Sequence, residues 1–161
     1  MRVRIHVFTA VLYLALVIIA SVLQRAPNLL WFGIRPNITL ALLVALSFFI
    51  DDFYLFLGLS LIASALVNPA SGFSLEEIVS VLVLIAAFFL RARLPFGPAT
   101  SALLLAAGAT FAFYLAVQIS FITSDFIAVF FEMLYNALLA AFIYFLMHRI
   151  PRYGETTRAS F

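Results

Sequence analysis

NITLALLVALSFFIDDFYLFLGLSLIASALV, residues 37–67, carries two charges, Asp51 and Asp52, and they sit side by side. On either side the chain is apolar: residues 37–50 form one run and 53–67 another, 14 and 15 residues long. As helices these runs reach roughly 21–23 Å, short for a hydrocarbon core of about 30 Å. Two arrangements fit. One is a pair of short spans joined by an aspartate turn, with Phe48, Phe49, Phe53 and Tyr54 extending the apolar reach. The other is a re-entrant pair. Two adjacent carboxylates in mid-membrane would cost several kcal/mol, so Asp51 and Asp52 belong at a water boundary and two short spans are expected.

The rest of the chain has the same character. Of 161 residues, 66% are hydrophobic and 10% charged, against about 45–50% and 25% in soluble domains. A soluble sphere of this size could not hide so much apolar side chain. The length allows about six spans and no separate globular domain. Cysteine is absent, which excludes disulfides and thiolate chemistry. The two histidines, His6 and His148, stand near opposite ends of the chain, a poor start for a metal site. No basic cluster with interleaved aromatics is present, which sets nucleic acid aside.

Upstream, residues 5–23 form an apolar run behind Arg2 and Arg4. It exceeds the ~7–15 residues of a signal-peptide core and reads as an uncleaved first helix. The segment 24–37 is a loop whose Trp31 suits a bilayer surface. Pro36 suits the first turn of the second helix, where a missing N–H costs nothing.

Downstream, Asn68 to Ser74 reads as a turn. Ser74 and Glu77 have the spacing of a capping box opening a helix over 75–90, and Glu76 and Glu77 suit the positive end of its dipole. Arg91 and Arg93 end that helix. A fifth helix over 99–122 is rich in small residues, Ala102, Ala106, Gly108, Ala109, Ala112 and Ala116, which let backbones approach in lipid. It is expected at the centre of the bundle. Ser124 is expected to cap a sixth helix over 125–149. Residues 150–161 form a polar tail.

The expected fold is therefore one all-α integral membrane domain, a compact bundle of about six transmembrane helices. Arginine placement orients it. With the N-terminus inside, Arg2, Arg4, Arg91, Arg93, Arg149, Arg152 and Arg158 fall inside and only Arg25 and Arg35 outside. The bias needs an even number of spans and puts both termini in the cytoplasm.

An ionisable group within a span is a functional candidate by default. Glu132 is one, two turns into the last helix. Asn136 lies four residues on, on the same face. Gln118 is placed to approach from the fifth helix. The polar seam either binds a ligand or partner helix, or holds the last two helices together; the second reading is preferred. Arg35, Pro36 and Asn37 are either a plain helix start or an anchor. No catalytic triad, phosphate-cradling loop or metal-ligand spacing is present, so no enzyme activity, catalytic residue, metal or cofactor is expected.

Two stretches carry a family resemblance. GIRPNITLALLVAL, residues 33–46, resembles the opening of the second span in the rod shape-determining protein MreD family, where Arg-Pro and then Asp or Asn lead an apolar helix. FEMLYNALLAAFIYFLMHRIPR, residues 131–152, resembles that family's last helix, with an acidic or polar residue, an Asn and a basic exit. One feature departs from the pattern: Gly58 is present, but the acidic residue common a turn later is replaced by the run Leu61, Ile62, Ala63. The resemblance implies a non-enzymatic subunit of the bacterial inner membrane. Its implied partners are an MreC-type single-span scaffold and, indirectly, MreB filaments and peptidoglycan synthases. Arg35, Pro36, Asn37, Glu132 and Asn136 match family positions, with structural or partner-packing roles. The layout also resembles substrate-binding subunits of energy-coupling-factor vitamin transporters. Those carry an Ala-x-x-x-Ala docking face in the first helix, whereas Ala10, Ala15 and Ala20 are five apart and do not share a stripe.

Overall fold

The computed structural model describes residues 7–26, 34, 36–68 and 74–149. Trp31, Arg35, most of the segment expected as a turn (residues 69–73) and residues 150–161 lie outside these residues. Among the described residues, seven α-helices run in order: α1 (Val7–Gln24), α2 (Ile38–Ser47), α3 (Phe53–Val67), α4 (Leu75–Leu90), α5 (Pro98–Val117), α6 (Ile119–Ser124) and α7 (Phe126–Arg149). Of these, α1, α5 and α7 are long and apolar enough to cross a membrane. Their outer faces carry large apolar side chains, Phe8, Ile127 and Phe142 among them. Continuous apolar faces of this extent suit lipid, not water.

The centre belongs to α2, not to α5 as the small residues suggested. Every residue of α2 from Thr39 to Ser47 is buried, and α2 touches α1, α3, α4, α5 and α7. A helix that is apolar all round is a core helix. The small residues of α5 divide between two faces. Ala102, Ala106 and Ala109 are buried, and α5 packs along α7 and α4. Gly108, Ala112 and Ala116 face outward.

Two segments differ from the expected ranges. The helix expected over 37–50 ends at Ser47, whose hydroxyl donates to Val44 O at 2.7 Å. Phe48 and Phe49 then make i→i+3 backbone bonds, a tightened last turn. The continuous helix expected over 99–122 is broken at Gln118, which is non-helical at φ −138°, ψ 53°. The next six residues, ISFITS, include β-branched and hydroxyl side chains that are weak helix formers. Thr123 Oγ1 donates to Ser120 O at 2.8 Å and Ser124 Oγ to Phe121 O at 3.3 Å, local bonds that compete with a longer helix. Ser124 does not cap α7. Asp125 does, its carboxylate accepting from the Ala128 N–H at 3.2 Å.

Contacts sort the helix ends into two groups. At the Asp51 end, the Asp52 carboxylate caps α3 by accepting from the Leu55 N–H at 3.0 Å. Arg91, at the exit of α4, donates to Ile50 O at 2.7 Å and lies 4.1 Å from the Phe88 ring centre. Phe49 packs on Tyr144 of α7, with ring centroids 5.3 Å apart, and Tyr144 stacks on His148. At the opposite, Asn37 end, Arg25 donates to Val67 O at 3.2 Å. The aspartate turn is thus level with the ends of α4 and α7, and the end of α3 with the end of α1.

Arg91 separates a strong contact from a weak one. Its pairing with Asp51, 3.6 Å away, involves a carboxylate that is 84% exposed. An exposed pair contributes about 0–1 kcal/mol. The bond to the Ile50 carbonyl is charge-assisted and half-buried, worth about 1.5–3 kcal/mol. Arg91→Ala is therefore expected to lower stability by about 2 kcal/mol, and Asp51→Asn by under about 0.5 kcal/mol, measured by reversible unfolding in mixed micelles.

Candidate functional site

A short central helix raises a problem at its N-terminus. Ten residues cover only about 15 Å, so α2 begins inside the bundle. The first N–H groups of any helix lack intrahelical partners, and in a core of apolar side chains no solvent supplies them. Here side chains from three other positions do. The Asn37 N–H donates to Asn136 Oδ1 of α7 at 2.7 Å. The Ile38 N–H donates to Gln24 Oε1 at the end of α1, also at 2.7 Å. The Leu40 N–H donates to Asn37 Oδ1 at 3.0 Å, the usual N-cap bond. Pro36, buried just before, brings no donor that would need a partner.

Asn136 is fully buried and works in both directions. Its Oδ1 receives the α2 terminus, and its Nδ2 donates to Thr110 Oγ1 of α5 at 2.9 Å. Thr110 in turn donates to Ala106 O at 2.8 Å. One amide thus ties α2, α5 and α7 together, while Gln24 adds α1.

One turn along the same seam, the Tyr114 hydroxyl donates to Glu132 Oε2. The two pairs share a register: four residues up α5, from Thr110 to Tyr114, match four residues down α7, from Asn136 to Glu132. The next step would pair Gln118 with Ala128, which offers no polar side chain. Gln118 also sits at the break after α5 and is exposed. The expected approach of Gln118 to Glu132 does not occur, and Tyr114 takes its place. The rings of Tyr114 and Phe121 stack at 5.7 Å, and Phe131 and Tyr135 lie 6.3 Å apart.

Of the sequence candidates, Pro36, Asn37 and Asn136 meet at one point. Glu132 lies one turn away and Gln118 stands apart. Arg35 is outside the described residues. Gln24, Thr110 and Tyr114 were missed. Thr110, Tyr114 and Gln118 recur at a spacing of four in the otherwise apolar stretch 102–118, and that recurrence is the signal the sequence offers. Glu77 of α4 stands apart from this seam. It is buried and reaches back to accept from the Ser74 N–H at 2.8 Å, a helix-capping role.

Amide, hydroxyl and backbone groups make up the Asn136 network, and none of them titrates near neutrality. Its chemistry is that of holding helices in register. Among the described residues no group of three His, Cys, Asp or Glu is placed to bind a metal ion. Set against known protein families, curated proteins and solved structures, the chain matches none.

Proposed function

We propose that this chain is a non-enzymatic, multi-pass subunit of the bacterial cell-elongation machinery, resident in the cytoplasmic membrane. It would associate with an MreC-type single-span scaffold and, through it, link MreB filaments to peptidoglycan synthases. The observation that carries the reading is the bond from the Asn37 N–H to Asn136. Asn37 belongs to the Arg-Pro-Asn stretch and Asn136 to the last-helix stretch, the two segments that resemble the MreD family. They lie 99 residues apart in the chain, yet they form one packed unit.

In this reading α1, α2, α3, α4, α5 and α7 are six passes, with the Asp51 end and both termini in the cytoplasm. The alternation of helix ends supports it, as does the gathering of Arg91, Arg93 and Arg149 toward the Asp51 end. The shortness of α2 is no obstacle, because mismatch with the bilayer matters for helices that touch lipid, and α2 touches other helices on every side.

The test is a mild-detergent pull-down of the tagged chain from native membranes, with companions identified by mass spectrometry. A single-span scaffold with an extracytoplasmic domain, or cell-wall synthases, is the expected recovery. Paired nucleotide-hydrolysing subunits with a coupling membrane protein would overturn the reading in favour of a vitamin transporter subunit.

A further inference from the structure

Glu132 is the feature that the helix-holding network does not absorb. It stands two turns into α7, within the span, and is half-buried. A carboxylate offers about four acceptor positions; here the Tyr114 phenol donates to Oε2 and the Asn136 side chain, four residues on, adds a second neutral contact. Among the described residues the only ion pair is Arg91–Asp51, at the opposite end of the bundle. An intramembrane carboxylate is costly, and a buried one is ordinarily paired. This one has no cation within the chain's described residues.

Its surroundings favour a cation. Glu132, Tyr135 and Leu139 follow one flank of α7 at i, i+3 and i+7, and all three are partly exposed. Phe121 and Phe131, in the ring pairs beside Tyr114 and Tyr135, are also accessible. A carboxylate bordered by the accessible Phe121 and Phe131 rings attracts a cation twice, by charge and by the ring faces. Arginine suits such a place better than lysine, because its planar guanidinium stacks on rings and is more weakly hydrated.

We propose that the α5–α7 seam at Glu132 and Tyr114 receives an arginine from the transmembrane helix of a partner protein, set about two turns below the Asn37-end surface of the bilayer. The proposal deepens the subunit reading above and rests on it for the existence of a partner span. Charge complementarity selects the occupant: a purely apolar helix would leave the carboxylate unpaired, and a basic one would pair it.

The test uses the full chain, dye-labelled at a C-terminal tag, in vesicles of phosphatidylethanolamine and phosphatidylglycerol. The probe is a dye-labelled leucine-rich peptide of about 23 residues, lysine-anchored at one end, with one arginine about six residues from the other. Association is read by energy transfer. The arginine peptide is expected to bind about tenfold more tightly than its all-leucine parent. Glu132→Gln keeps an acceptor for Tyr114, so the chain still folds, and it removes the preference. Glu132→Gln combined with Leu138→Glu, which moves the carboxylate to an exposed part of α7, does not restore it.

Equal binding of the two peptides overturns the proposal, as does a preference that survives Glu132→Gln or returns with Leu138→Glu. Glu132-dependent transfer between copies of the chain without peptide gives the seam to self-association and overturns it too. So does a preference seen with choline headgroups and lost with ethanolamine, which would give the site to a lipid ammonium. A failed pull-down removes the cell-elongation reading and leaves the vesicle result standing; a failed vesicle test removes the arginine site alone.

Discussion

Asn136→Leu is expected to lower the unfolding free energy by about 3 kcal/mol, the largest loss for any polar position in the bundle. Two effects add. The Asn37 N–H loses its acceptor at a part-buried position at the start of α2, which costs about 1–3 kcal/mol. Leucine is also bulkier than asparagine and enters a fully buried position, where overpacking costs about 1–3 kcal/mol. In a soluble protein the greater hydrophobicity of leucine would offset part of this. In the membrane-embedded bundle proposed above it offsets little, because the reference surroundings would be lipid and no hydrophobic drive would separate core from bilayer. Two milder variants calibrate the result. Thr110→Val keeps the shape and removes one acceptor, for about 1 kcal/mol. Gln24→Leu leaves the Ile38 N–H its second contact, Pro36 O at 3.1 Å, and costs a similar amount. Reversible unfolding in mixed micelles measures all three. Should Asn136→Leu cost no more than Thr110→Val, the helix terminus does not depend on Asn136 and the seam loses its structural role.

The helical class was legible because composition and run length report the solvent directly. The ranges of α3 and α4 follow from local marks, Asp52 before one, Ser74 before the other with Glu77 in its first turn, and such marks act within a few residues. The centre of the bundle was not legible. Small residues announce close packing but not which helix lies innermost, and Gly108, Ala112 and Ala116 of α5 turn outward. Centrality is set by the lengths of the neighbours and by where α2 starts, which no window of sequence contains. The seam was half legible. Asn37, Glu132 and Asn136 stand out as polar residues in apolar runs. Their partners depend on the antiparallel register of α5 and α7, and that register gives Tyr114 to Glu132, while Gln118 falls beyond the end of α5. The break at Gln118 was in principle readable from ISFITS, but a strongly apolar context hid its weak helix propensity.

Phe56→Ala is expected to cost about 2–3 kcal/mol, and Phe142→Ala under about 0.5 kcal/mol. The contrast tests which apolar surface is core and which faces lipid. Phe56 is fully buried, with its ring centroid 4.8 Å from that of Phe88. Phe88 in turn meets Phe53 and Phe89 and carries the Arg91 guanidinium. In a soluble core the substitution would cost about 3–5 kcal/mol, a sum of lost transfer energy and a cavity term. In a bilayer the transfer part nearly vanishes, since the phenyl group leaves lipid-like surroundings for lipid. The cavity part remains, at ~24 cal/mol per Å³ of unfilled space, and the lost ring pair adds about 0.5–1.5 kcal/mol. Phe142 is 64% exposed, and truncating it leaves lipid chains to fill the gap. Unfolding of both variants under the same micellar conditions gives the ratio. A loss at Phe142 as large as that at Phe56 would mean that α7 buries this face against protein, so that its outward surface is covered by a second chain.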